Sequence, residues 1–68
     1  MRYAVVIEKA DGNYSAYVPD LPGCVATGNT PKEAEKEIRE AIRFHLDGLR
    51  EDGLPTPKPS TTLAYVDA

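Results

Sequence analysis

The sequence predicts an α+β domain of two layers, a mainly antiparallel sheet of three to four strands with one long helix across it, in the order β-β-β-α-β. Three observations carry this reading. Short runs rich in Val, Ile and Tyr alternate with Asp, Gly and Pro turns up to Gly28. One stretch with helical periodicity follows, bounded by clear start and stop signals. A proline-rich segment then leads to a last β-rich run. With 68 residues the chain is a single domain that can bury only about 60% of its unfolded surface, so the monomer should be marginal and a homo-oligomer, dimer or tetramer, is expected. Leu, Ile, Val and Phe number only 14, near the range of disordered chains, yet the net charge of −3 is modest and the apolar residues are patterned. A folded domain with a thin core is the consequence.

Residues Tyr3 to Glu8 and Tyr14 to Val18 read as the first two strands, and the intervening Asp11-Gly12 is a strong hairpin signal, so they should pair antiparallel. Alternation puts Tyr3, Val5 and Ile7 on one face and Ala4 and Val6 on the other. Val18-Pro19-Asp20-Leu21-Pro22-Gly23-Cys24 is a rigid corner, because its prolines fix φ and its glycine frees the backbone. Val25-Ala26-Thr27 makes a short third strand. Thr30-Pro31-Lys32-Glu33 then combines an N-cap hydroxyl, proline at the first helical position and Glu at the capping-box position. The helix should run to about Asp52, where Gly53 offers a cap and Pro55 forbids continuation.

At about 100° per residue, Ala34, Ile38, Ala41, Ile42, His45, Leu46 and Leu49 form the stripe that packs on the sheet. The polar surface is divided by charge. Glu33, Glu37, Glu40, Asp47 and Glu51 cluster with Phe44, whereas Lys32, Arg39, Arg43 and Arg50 form a separate basic strip. Pro55 to Ser60 should be extended and carry the tail back along the sheet, where Thr62 to Val66 reads as a fourth strand.

The strand hairpin, the P-D-L-P-G-C corner and the G-x-T-x-x-E-A helix start together resemble the HicB family of antitoxins, from Arg2 to Val66. The resemblance implies a truncated ribonuclease-H-like fold without its catalytic carboxylates. It also implies a partner, a small ribonuclease toxin (HicA-like) whose RNA-binding and catalytic face the antitoxin occludes. The sequence ends two residues after the expected fourth strand, so the DNA-binding segment of longer family members, and direct DNA binding, are not expected here.

Composition agrees with a protein-binding role. Eight basic residues against eleven acidic ones disfavour phosphate-driven binding to nucleic acid and suit a basic protein partner, although an acidic balance also serves plain solubility. One cysteine and a short N-terminal apolar run that soon becomes charged point to a reduced, cytoplasmic setting. No apolar stretch approaches the roughly twenty residues needed to span a bilayer.

No catalytic, metal or cofactor site is expected. A ribonuclease-H-type nuclease needs several carboxylates converging on divalent metal, and only Glu8 and Asp20 stand at strand ends. Residual nuclease activity is the enzymatic alternative, and an orphan oligomerisation or small-ligand domain is the other. His45 reads as a packed histidine with one hydrogen-bond partner and only secondarily as a pH-sensitive contact. Cys24 reads as a small buried residue. The candidate partner-binding residues are Tyr17, Asp20, Leu21, Glu37, Glu40 and Phe44. Asp20 and Leu21 form a projecting corner, read as a lip that contacts the partner or, more plainly, as a corner whose Leu21 tucks under the sheet; the two Glu residues supply charge, and Phe44 leaves apolar area in water unless a partner or the proline-rich segment covers it. Tyr14, Tyr17 and Tyr65 are candidates for the sheet face away from the helix, against the plainer reading of half-buried packing.

Overall fold

The computed structural model describes all 68 residues. Strands β1 (Val6–Lys9), β2 (Tyr14–Tyr17) and β3 (Val25–Gly28) form an antiparallel sheet in the order β1-β2-β3, and α1 (Pro31–Glu51) lies across one face. Asp11-Gly12 does close the first hairpin: the Ala10 N–H donates to the Asn13 carbonyl, and Gly12 takes a positive φ of 77°. Register is fixed by rows of paired residues. Ile7, Ala16 and Ala26 form one row toward the helix, and Val6, Tyr17 and Val25 form the next row on the opposite face.

The corner between β2 and β3 consists of two consecutive turns. Leu21 N–H donates to the Val18 carbonyl, Cys24 N–H donates to the Leu21 carbonyl, and Val18 N–H closes the unit on the Cys24 carbonyl. Pro22 and Gly23 occupy the central positions of the second turn, and Gly23 with φ 82° supplies the conformation that a type II turn requires. Leu21 is thereby driven inward and is fully buried, in a core with Ala16, Val18, Cys24, Ala34 and Ile38.

Both helix termini follow the sequence signals. Thr30 Oγ1 accepts the Glu33 N–H at 3.0 Å, and Pro31 opens the helix where no donor is needed. At the other end Gly53 N–H donates to the Arg50 carbonyl and Leu54 N–H to the Leu49 carbonyl, the paired bonds of a Schellman cap, with Gly53 at φ 70°. The apolar stripe faces the sheet as expected. Ala34 and Ile38 are buried, Ala41, Ile42 and Leu46 pack against the core, and His45 and Leu49 are half-buried.

Two expectations change. The first strand starts at Val6 rather than Tyr3, because β2 ends at Tyr17 and Pro19 cannot extend the ladder; Tyr3 and Val5 still pack on the core. The fourth strand expected at Thr62 to Val66 is not formed, so the sheet has three strands. No residue beyond Leu54 makes a backbone-to-backbone hydrogen bond. Prolines 55, 57 and 59 have no N–H to give, and the Ser60 and Thr61 N–H groups are taken by the Asp20 carboxylate instead of a strand.

Two glycines lend themselves to test. A Cβ on Gly28 would lie 2.8 Å from the Glu33 carbonyl carbon and closer still to the Ala34 nitrogen, so β3 and the first helical turn would have to separate. Gly28→Ala should lower unfolding free energy by about 1–3 kcal/mol, the usual cost of overpacking, measured by urea denaturation. Gly48 is helical with open space around it, so Gly48→Ala should raise stability by about 0.5–1 kcal/mol in the same assay.

Candidate functional site: an acidic flank beside an open sheet edge

Helix α1 packs chiefly over β3 and β2 and least over β1. This offset sends its two charged strips to opposite edges of the sheet. Glu37, Glu40 and Phe44 project beside β3 and, with Val25 and Thr27, border a shallow cleft. Phe44 is 83% exposed and Val25 is 67% exposed, a large apolar area to leave in water. Because β3 ends the sheet, its outward N–H and C=O groups are open to a further strand. Tyr17 stands next to Val25 in the row on the outer face and is also exposed. The proline-rich segment does not cover Phe44. It crosses by way of Tyr3, whose hydroxyl donates to the Pro57 carbonyl, at the other side of the domain.

Four of the six expected partner-binding residues, Tyr17, Glu37, Glu40 and Phe44, therefore gather around β3. Asp20 and Leu21 do not join them as a lip. Leu21 is fully buried, so the corner that was expected to project presents no leucine to a partner. Asp20 points outward but is engaged by the chain's own tail. Its carboxylate accepts the Ser60 N–H at 3.0 Å, Ser60 Oγ at 3.0 Å, the Thr61 N–H at 3.1 Å and Thr61 Oγ1 at 2.9 Å. These donors favour the ionised form, led by the Ser60 N–H, and hold the Asp20 pKa below the usual carboxylate value.

Of the remaining candidates, Cys24 and Tyr14 are structural in their placement. Cys24 is buried and its thiol pKa is pushed up by desolvation, the opposite of what a nucleophile requires. His45 is half-buried and its imidazole makes no hydrogen bond within the chain, so the single partner expected of a packed histidine is not found. Tyr14 lies on the helix side of the sheet, and Tyr65 is on the uncovered tail. No three His, Cys, Asp or Glu side chains converge as a metal-ligand set. No helix is long and apolar enough to cross a membrane. Val25 was absent from the expected site, although it was readable: with Ala26 inward, alternation turns Val25 out.

This arrangement, a three-stranded sheet crossed by one capped helix with an acidic-apolar surface at its edge, defines a small two-layer domain of the α+β class. Residues 3–68 match the family described as HicB-like antitoxin of bacterial toxin-antitoxin systems, and the chain belongs to that family. It is 44% identical over 69 residues to a UPF0150 protein of Thermoplasma acidophilum, covering all of both chains. It is 40% identical over 67 residues to a 14.9 kDa protein of Haemophilus phage HP1, encoded in the rep-hol intergenic region; that match covers 98% of this chain but about half of the phage protein. In structure it resembles a chain of the HicA3 and HicB3 toxin-antitoxin complex, with a TM-score of 0.75 and 33% identity, over 88% of this chain and 70% of that one.

The Asp20 cluster predicts a pH response with a defined sign. A carboxylate held below its ordinary value stabilises the tail contact throughout the neutral range, and that contribution is lost only as pH falls through the depressed value, below 3.8. Protection factors of the Ser60 and Thr61 amides, that is, exchange rates by NMR corrected for the intrinsic dependence on pH, should hold from neutral pH down to that acid range and fall within it. In Asp20→Asn the same amides should exchange faster already at neutral pH, while those of α1 are unchanged.

Proposed function

We propose that this chain is an antitoxin domain that neutralises a small basic ribonuclease toxin (HicA-like) by covering its RNA-binding and catalytic face. The observation that carries the proposal is the surface at β3, where exposed Phe44 and Val25 sit between Glu37, Glu40 and an open strand edge. A surface that binds RNA is basic because its ligand is a chain of phosphates. An acidic flank with an aromatic at its centre suits such a surface in both charge and apolar area. Tyr17, one position in from the edge, widens the contact.

Blocking of this kind is steric and electrostatic and requires no chemistry from the antitoxin. The role is therefore non-enzymatic, without metal or cofactor, and is exercised in the cytoplasm where a ribonuclease toxin meets RNA. The solved relative, taken from a HicA3 and HicB3 complex, supports a toxin of that type as the partner. Asp20 belongs to the fold in this reading, since all four donors around its carboxylate come from the tail.

The test is to capture the tagged chain from its native cells, identify the small basic ribonuclease that accompanies it, and titrate the two. Addition of this chain should stop RNA cleavage at stoichiometric ratio. Phe44→Ala should weaken the complex by about 2 kcal/mol or more, as expected of a central aromatic anchor. Glu37→Lys with Glu40→Lys should slow association and reduce its salt dependence. Full inhibition by both variants would place the toxin elsewhere on the domain.

A further inference from the structure

The offset of α1 leaves a second groove, at the β1 edge. Tyr3, Val5 and Ile7 form one wall and Ile42 and Leu46 the other, enclosing about 620 Å³. Its rim is basic. Arg2, Arg39 and Arg43 border it with a single acid, Glu35. Arg39 is partly matched by Glu35 at 3.6 Å, and Arg2 and Arg43 have no ion pair.

The same chain carries a segment with the complementary character. Leu63 is 57% exposed, Tyr65 98% and Val66 86%, and Asp67 follows them. Tyr65 and Val66 are strand-forming residues, and none of the four has a backbone partner. The root of the tail is fixed by Asp20 at Ser60 and Thr61, and Leu63 lies alongside residues 2 to 5. Beyond that point Tyr65 and Val66 stand in solvent, and no residue of the tail lines the groove of its own chain.

We propose that the groove at the β1 edge receives the Leu63–Asp67 tail of a second copy of this chain, and that two copies exchange tails about a twofold axis. Leu63 and Tyr65, which share one face of an extended segment, enter between β1 and α1. Asp67 then meets the arginine rim, so the charges that would oppose a bare groove-to-groove contact are matched by the incoming tail. Each copy gives one tail and takes one, which makes the interface isologous and closed. A domain with only six fully buried residues gains the missing wall of its core in this way. The dimer uses the β1 edge and leaves the β3 edge open, so it does not compete with the surface assigned to the toxin.

The decisive experiment is sedimentation velocity of the full chain at micromolar concentration, with far-UV circular dichroism as the folding control. The parent chain should be a dimer. Leu63→Asp with Tyr65→Asp should be monomeric at unchanged helicity, since both positions are exposed in the single chain. Arg43→Glu and Asp67→Arg should each weaken the dimer about tenfold, and combining them should recover most of that loss. A monomeric parent chain would overturn the proposal, including the case in which its own tail fills the groove. A dimer that the tail substitutions leave intact would overturn it equally.

Discussion

The corner from Val18 to Cys24 is the constraint on which the rest of the domain depends. Its two turns join β2 to β3 and set their register. One residue of the corner points inward and its neighbour outward. Leu21 fills the centre of a core that has few other large side chains, and Asp20 collects the tail. A turn that was rigid for conformational reasons thus serves both layers of packing. In so small a chain, where burial is limited by surface-to-volume ratio, such double use of a short segment supplies contacts that a larger core would otherwise provide.

The proposed function rests on the position of the helix. Because α1 lies over β3 and β2, its acidic strip with Phe44 overhangs one sheet edge and its basic strip overhangs the other. Both edges combine exposed apolar area with charge of a single dominant sign, which is a pattern of recognition surfaces more than of catalytic clefts. The family to which the chain belongs contains antitoxins, whose task is to bind. The acidic edge then suits a basic partner, and the basic edge suits a segment that is apolar and acidic.

Much of this was legible in the sequence because local rules agree with the tertiary structure. Thr30, Pro31 and Gly53 mark helix ends whose hydrogen bonds are local, and Asp11-Gly12 marks a turn closed within four residues. The segregation of Glu37, Glu40 and Phe44 from Arg39 and Arg43 was visible on a helical wheel, though not which sheet edge each strip would meet. What sequence could not give were long-range choices. Nothing near Asp20 indicates that its partners lie 40 and 41 residues away. Thr62 to Val66 has strand composition, and whether it pairs depends on where its neighbours' donors go, a question that composition does not address.

The measurement that tests the central claim most directly is hydrogen–deuterium exchange of the chain with and without the ribonuclease proposed as its partner. Binding at the acidic edge predicts new protection in β3, residues 25–28, and along α1 around Glu37 to Phe44, with residues 2–7 unchanged. Protection confined to the β1 edge or to the tail, with β3 exchanging as in the free chain, would contradict it.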